Sequence, residues 1–158
     1  MQWPFSVLKI DIICISHIKN NAFADLIEMY QRRMKWPVTI IDYESKHKDA
    51  KKTQQDEEQK ILSKLNSSAV IIALDERGKS LSSLSFSKKL EMYSHNQSNH
   101  IQFVIGGADG LTQKIRDKSH LLMSFGEQTW PHALARVMLL EQIYRAQQIL
   151  AGHPYHRQ

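Results

Sequence analysis

The stretch "AVIIALD", residues 69–75, gives the clearest indication of the fold. Its apolar residues run without a break as far as Leu74, and Asp75 ends the run. A short continuous apolar run is typical of a strand buried on both faces, and such strands occur in parallel sheets. The stretch therefore predicts an inner strand of a parallel sheet, with its carboxyl end at Asp75.

Strand and helix patterns alternate along the rest of the chain. Further strands are predicted at 7–16, 38–43, 100–107 and 121–125. Helical spacing of apolar residues predicts helices at 21–36, around 57–65, at 81–94 and from about 131 to 150. The mixed charges of residues 44–60 indicate a loop that runs into an exposed helix face. This alternation predicts one α/β domain over residues 1–158, with a mostly parallel sheet flanked by helices.

Composition and charge exclude several kinds of protein. The 158 residues include one cysteine, Cys14, so neither an intrachain disulfide nor a thiolate zinc cluster can form. Its apolar neighbours predict a buried strand position rather than a nucleophile. No apolar run reaches the roughly 18 residues that cross a bilayer, and Lys9 and Asp11 interrupt the apolar start where a signal peptide would lie. We therefore expect a cytoplasmic protein without a membrane partner, and the net charge of +5 favours an anionic partner such as nucleic acid.

Glycine-containing or polar turns follow three of the predicted strands. They are "LDERGKS" (74–80), "IGGADGLT" (105–112) and "SFGEQTWPH" (124–132). Ligands of open α/β sheets bind at the carboxyl ends of the strands, and glycine lets the backbone approach them closely. The glycines of "GGADG" could equally make only a turn. Because they lack the spacing of a P-loop or of a dinucleotide fingerprint, ATPase and dehydrogenase functions are disfavoured.

The predicted last helix is apolar on nearly every side. A helix of this kind must be covered from more than one direction, so we expect it to pack on the sheet and on a second subunit. Arg136, Glu141 and Arg145 interrupt its apolar surface. Glu141 and Arg145 are four residues apart, which suits a structural salt bridge, or an arginine held ready for a phosphate.

The chain ends in "AGHPYHRQ", residues 151–158. Gly152 and Pro154 suit an ordinary helix stop. His153 and His156 have a spacing that could ligate a metal, but no further cysteine or acidic ligand follows, so no metal is predicted. Aromatic and basic residues together are suited to a nucleobase and its phosphate.

Two stretches carry a specific resemblance, "FVIGGADGL" (103–111) and "TWPHALARVMLLEQIYRAQQILAGHPYHR" (129–157). With them the chain resembles the SPOUT, or trefoil-knot, methyltransferases, and among these the bacterial enzymes that methylate N3 of a pseudouridine in 23S ribosomal RNA. The resemblance is specific over about 70–158 and looser over 7–69. It implies a carboxyl-terminal part tied in a deep knot, a homodimer, and S-adenosylmethionine held in the knot, at about 70–158.

The resemblance also implies the residues of the site. The implied cofactor contacts, mostly through backbone atoms, are Leu74, Gly107, Gly126, Glu127, Gln128, Thr129, Trp130 and Pro131. The implied catalytic candidates are His132, Arg145, Tyr155 and Arg157. The implied substrate-binding residues are Glu141, His153 and His156.

Specific roles are expected for some of these candidates. Arg145 and Arg157 would hold phosphate or developing negative charge, and Tyr155 would position the base. His132 would position a ligand or cap its helix. The chain departs from the family pattern at Asp109, where a glutamate is usual, at "ISHIKN" (15–20), where a glycine and a lysine are usual, and in the extra residues 1–6.

These expectations combine into one predicted function with two alternatives. We expect an S-adenosylmethionine-dependent methyltransferase that acts on 23S ribosomal RNA, on assembled ribosomes. The alternatives are a trefoil-knot methyltransferase acting on transfer RNA, and an RNA-binding ribosome assembly factor that has no catalytic activity.

Overall fold

The computed structural model describes residues 7–19, 21–45 and 47–157. Residues 1–6, read above as an extension, and Asn20 of "ISHIKN" lie outside these ranges. The strands are β1 (Lys9–Ile15), β2 (Val38–Tyr43), β3 (Val70–Ser80), β4 (His100–Ile105) and β5 (Leu121–Ser124). The helices are α1 (Ala22–Arg33), α2 (Ala50–Lys64), α3 (Ser83–Asn96), α4 (Gln113–Lys118) and α5 (His132–Leu150).

The strands form one parallel sheet in the order β2-β1-β4-β3-β5. Alternate strand residues point to opposite faces, and each face is covered by helices. Side chains such as Ile12, Phe103 and Ile72 pack with helices α1, α3 and α5. The other face, with Ile13 and Val104, packs against α2 and α4. The predicted α/β class and parallel sheet are confirmed.

The largest differences from the prediction are two element boundaries and one unpredicted helix. α2 begins at Ala50, well before residue 57, because Asp49 caps it by accepting hydrogen bonds from the backbone N–H groups of residues 51 and 52. β3 continues to Ser80 instead of ending at Asp75. The short helix α4 was not predicted, since its six residues bury only Ile115.

The pairing of β3 with β5 has an irregular register. Met123 of β5 pairs with Leu74 and also with Lys79, so residues 75–78 leave the ladder between these two partners. Gly78 lies in this stretch, and a Cβ atom there would come within 2.6 Å of the backbone carbon of Leu122. The deep knot implied by the resemblance stays a prediction.

α5 packs on the sheet between α1 and α3. Its Gln147 accepts hydrogen bonds from the backbone N–H groups of Lys35 and Trp36, at 2.7 and 3.0 Å, and so joins the helix to the turn before β2. The helix ends as the sequence predicts: Gly152 has φ +72°, and the N–H of His153 donates to the carbonyl of Gln148. No helix within the described ranges is both long and apolar enough to span a membrane.

Candidate functional site

A cavity of about 370 Å³ opens at the carboxyl edge of the sheet. Residues 74–77 of β3, which the sequence predicts to lie in a turn after that strand, meet the loops after β4 and β5 there, and the start of α5 closes one side. Its wall includes Leu74, Asp75, Glu76, Arg77, Ile105, Gly106, Gly107, Ala108, Asp109, Gly110, Leu111, Arg116, Met123, Ser124, Phe125, Gly126, Gln128, Thr129, Trp130, His132 and Ala135. Small-molecule sites commonly have volumes of ~300–1,000 Å³ and combine apolar walls with a few polar groups. The volume and the lining of this cavity agree with both properties.

The glycine turn after β4 is held from behind by α2. Glu57 packs against Gly107 so closely that a Cβ atom on this glycine would lie 2.7 Å from a carboxylate oxygen. Gln54 donates a hydrogen bond to the carbonyl of Asp109 at 3.1 Å, and Thr112 donates to Glu58 at 2.6 Å. Burial raises the pKa of Glu57, and the nearby carboxylates of Asp109 and Asp56 add to the effect. The turn is therefore a fixed wall of the cavity.

The loop between β5 and α5 forms the opposite wall. Gly126 has φ +101°, a conformation that residues with a Cβ atom rarely adopt. The hydroxyl of Ser124 donates to the carbonyl of Gly126 at 2.7 Å, and the indole N–H of Trp130 donates to the carbonyl of Phe125 at 3.1 Å. Trp130 remains partly exposed at the cavity mouth. Its side chain thus offers an aromatic face beside backbone groups that local hydrogen bonds hold in place.

An ion pair contributes the charged part of the wall. Nε of Arg116 on α4 donates to Asp75 at 2.8 Å, and the other oxygen of Asp75 accepts the backbone N–H of Arg77 at 2.9 Å. The side chains of Asp75 and Arg116 are only 4% and 15% exposed. The cavity therefore presents an oriented guanidinium as well as apolar and backbone groups.

A second cavity of about 480 Å³ adjoins the first at the end of β5. Residues 123–126 line both cavities. The remaining wall is formed by the segment 80–83, Phe86, Met138, Glu141 and Gln142. Glu141 brings the second cavity into contact with the end of the chain.

Glu141 organises a group of side chains that we call the tail cluster: Glu141, Arg145, Tyr155 and His156. Arg145 donates to Glu141 through Nη2 at 2.6 Å, and the hydroxyl of Tyr155 donates to the same oxygen at 3.2 Å. Nη1 of Arg145 lies 3.1 Å from Nδ1 of His156. The predicted Glu141–Arg145 salt bridge is present, and the residues after α5 fold back onto it.

Aromatic contacts complete the tail cluster. The guanidinium of Arg145 lies 4.8 Å from the centre of the Tyr155 ring, which packs edge-on against Tyr144 at 4.9 Å. Burial raises the pKa of Tyr155, and Glu141 raises it further, so its hydroxyl is a donor at neutral pH. The hydrogen bond to Glu141 raises the pKa of Arg145. The cluster therefore combines a permanent cation, a phenol donor and aromatic surface.

The outer residues of the tail are exposed. Nδ1 of His153 accepts the backbone N–H of Tyr155 at 3.2 Å. Within the described part of the chain, the side chain of Arg157 has no hydrogen-bond or ion-pair partner. It is thus a cation available to an anionic ligand.

Arg136 and Cys14 have structural positions. Arg136 is 3% exposed and donates to the carbonyl of Ser16 at 2.6 Å and to Asp42 at 3.4 Å, which ties α5 to the ends of β1 and β2. Burial raises the pKa of the Cys14 thiol to about 12. A thiol that stays protonated in this way is not a nucleophile at neutral pH.

The structure brings most of the residues implied by the resemblance to two places. At the wall of the first cavity lie Leu74, Gly107, Gly126, Gln128, Thr129, Trp130 and His132. Glu127 and Pro131 belong to the same loop but do not line the cavity; Pro131 is the residue before α5, and His132 makes no capping hydrogen bond. Glu141, Arg145, Tyr155 and His156 meet in the tail cluster, with His153 and Arg157 beside it.

Sequence reasoning missed the pair of Asp75 and Arg116 in the cavity wall. The two residues are 41 positions apart and lie on different elements, so no spacing in the sequence joins them. The only available signal was the charged turn after β3. No group of three or more histidine, cysteine or acidic side chains that could hold a metal occurs within residues 7–19, 21–45 and 47–157.

Comparison with known proteins places this architecture in a family. The model of the family described as "Predicted SPOUT methyltransferase" matches residues 8–156. The "Ribosomal RNA large subunit methyltransferase H" of Rhodospirillum centenum is 42% identical over 151 residues, which cover 95% of this chain and 99% of that protein. The protein of the same name from Rhodopseudomonas palustris is 42% identical over 159 residues, with the same coverage.

Solved structures agree on the fold. The ribosomal RNA small subunit methyltransferase E of Neisseria gonorrhoeae, bound to S-adenosyl methionine, matches 94% of this chain and 69% of its own, with a TM-score of 0.52 and 14% identity. The SpoU methyltransferase AviRb of Streptomyces viridochromogenes matches with a TM-score of 0.50 and 10% identity. The chain spans 63% of the length of that AviRb structure.

Proposed function

Because this chain belongs to the SPOUT methyltransferase family, we propose that it transfers a methyl group from S-adenosylmethionine to N3 of a pseudouridine in 23S ribosomal RNA. One observation carries the proposal: the second cavity joins the first cavity to the tail cluster, because it shares residues 123–126 with the first cavity and Glu141 with the cluster. The names of relatives that match 95% of the chain support methyl transfer to ribosomal RNA of the large subunit.

The first cavity fits S-adenosylmethionine, and the whole cofactor site then lies within residues 70–158. Side chains of Leu74, Ile105 and Phe125 provide apolar walls for an adenine ring. Gly107 leaves room for Glu57 behind the turn, and Gly126 takes the positive φ that its loop requires, so both glycines set the course of the backbone that would contact the ligand. We propose the cofactor contacts implied by the resemblance, with Glu127 and Pro131 acting through the shape of their loop.

When bound, the cofactor supplies an electrophilic methyl group. The task of the protein is then to hold N3 in line with it and to favour the anionic form of N3. We assign the second cavity to the target base, because it shares the end of β5 with the first. Tyr155 positions the base, and Arg145 and Arg157 stabilise negative charge on the base or the RNA backbone.

Glu141 has a supporting role in this scheme. Its carboxylate accepts hydrogen bonds from Arg145, Tyr155 and Gln142. With these donors in place, Glu141 orients the cation and the phenol. His153 and His156 contact the RNA beside them, and His132 positions a ligand from the cavity wall.

The net charge of +5 suits an RNA partner. The fold described here adds little surface beyond the site, so we propose that the protein recognises a preassembled ribosome by shape rather than naked RNA by sequence. We further propose a cytoplasmic homodimer in which α5 packs against a second copy and no metal takes part.

Calorimetry and methyl transfer test the proposal together. The purified protein should bind S-adenosylmethionine, and with labelled cofactor it should transfer label to 23S RNA of ribosomes from a strain that lacks the gene. Absence of cofactor binding by the folded protein would contradict the proposal. Label in transfer RNA would favour a transfer RNA methyltransferase. Ribosome binding without label transfer in a single turnover would favour an assembly factor.

A further inference from the structure

The ion pair between Asp75 and Arg116 is the feature of the first cavity that the proposed contacts do not use. Both side chains line the cavity and both are largely buried. An ion pair inside a ligand cavity orients charge toward the ligand if one partner keeps unused hydrogen-bonding groups. The two sides of the pair differ in this respect.

Both carboxylate oxygens of Asp75 already accept hydrogen bonds. One carboxylate oxygen accepts Nε of Arg116 at 2.8 Å, and the other accepts the backbone N–H of Arg77 at 2.9 Å. These bonds fix the carboxylate on its own loop. They therefore also fix the plane of the Arg116 guanidinium.

Arg116 keeps the outer part of its guanidinium. Within the described part of the chain, neither Nη nitrogen has a hydrogen-bond partner, and neither is sealed from solvent. Because the side chain is 15% exposed and lines the cavity, these donors face the cavity space. A guanidinium held at Nε with two free Nη groups is a fork that binds a carboxylate through two parallel hydrogen bonds.

From this geometry we infer that Arg116 binds the α-carboxylate of S-adenosylmethionine and that Asp75 positions it. The inference rests on the proposed function. The α-carboxylate is the one anionic group of this cofactor, whose other charged groups are an ammonium and a sulfonium. Asp109, on the same wall, offers a carboxylate to the neighbouring ammonium. The pair of Asp75 and Arg116 then selects the amino-acid end of the cofactor.

Calorimetry with two ligands isolates this contact. S-adenosylmethionine and decarboxylated S-adenosylmethionine differ by the carboxylate alone. Wild type should prefer the former. Arg116→Gln should weaken its binding by about 10- to 100-fold, the usual range for a charge-assisted hydrogen bond, and should leave the decarboxylated ligand within about threefold. Arg116→Lys, which keeps the charge but lacks the fork, should lose part of the preference.

Lys118→Gln is the matched control, because it removes an exposed cation from the same helix, α4, outside the wall of the first cavity. It should leave the preference unchanged. Equal weakening of both ligands by Arg116→Gln, no weakening of either, or loss of the preference in Lys118→Gln alone would overturn the assignment. If wild type binds S-adenosylmethionine in any of these cases, only the inference fails; if wild type does not bind it, the proposed function fails as well.

Discussion

The first cavity and the tail cluster are built in opposite ways. The cavity is formed mainly by backbone, in loops whose glycines either take positive φ, as Gly126 does, or meet a neighbour closely, as Gly107 does. The tail cluster is formed by side chains, with Arg145 and Tyr155 both donating to Glu141. One region therefore depends on the course of the chain and the other on the chemistry of a few side chains.

This difference teaches where substitutions should act. Backbone sites tolerate changes of exposed side chains but not added volume at a close approach. Side-chain sites respond to the loss of a single charge or hydroxyl while the fold stays intact. We therefore expect cofactor binding and RNA methylation to be separable by mutation.

The largest separation is expected from Arg157→Ala. Loss of this exposed cation, which we propose to contact the RNA, should lower the methylation rate at least about 100-fold, while cofactor affinity stays within about twofold, because Arg157 is not part of the cavity wall. Single-turnover methylation of ribosomes and calorimetry measure the two quantities. Arg32→Ala is the control, since it removes another exposed arginine, which pairs with Glu28 on its own helix. Equal losses of affinity and methylation in Arg157→Ala would refute its assignment to the RNA side.

Gly107→Ala should weaken cofactor binding in the first cavity. The added Cβ atom would lie 2.7 Å from a carboxylate oxygen of buried Glu57, so the glycine turn or Glu57 must move. We expect the free energy of unfolding to fall by about 1–2 kcal/mol. The cofactor affinity, measured by calorimetry, should fall about 10-fold. The double variant Glu57→Ala/Gly107→Ala makes room for the methyl group and should recover most of the affinity. No recovery would show that the close approach to Glu57 is not the reason for the glycine.

A smaller effect is expected from Tyr155→Phe. The change removes a 3.2 Å hydrogen bond to Glu141 but keeps the ring on Tyr144 and Arg145. The rate of methylation should fall about 5- to 10-fold, equivalent to roughly 1 kcal/mol, without a change in cofactor affinity. Tyr93→Phe is the control, since it removes a hydroxyl from α3, away from the tail. An unchanged rate in Tyr155→Phe would mean that the hydroxyl does not position the base.

Most of the fold could be predicted from the sequence, because the spacing of apolar residues indicates which side chains are buried. The stretch "AVIIALD" contains the buried start of β3, and the three predicted turns, at 74–80, 105–112 and 124–132, all contribute to one cavity. The helix α4 was not predicted because one buried isoleucine in six residues gives no periodicity. The start of α2 was not predicted because its first turns are charged and exposed, and such a sequence is equally typical of a loop and of a solvated helix.

The site was accessible only in part. Periodicity and spacing pointed to the strand ends and to the tail, but the assignment of Leu74 or Gln128 to a cofactor came from the resemblance alone. The close approach of Gly78 to the backbone of β5 leaves no trace in the local sequence, because it depends on how two distant segments meet. The hydrogen bond between Asp75 and Arg116 also leaves no trace in the local sequence, because it joins two separate elements, β3 and α4.

The most direct test of the central claim is a nucleoside analysis of ribosomal RNA. 23S and transfer RNA from a strain that lacks the gene, and from the same strain carrying wild type or Arg157→Ala, would be digested and analysed by mass spectrometry. We predict that one methylated pseudouridine is missing from 23S RNA of the deletion strain and returns with wild type but not with Arg157→Ala. Unchanged 23S nucleosides, or a methylated nucleoside missing from transfer RNA instead, would contradict the account.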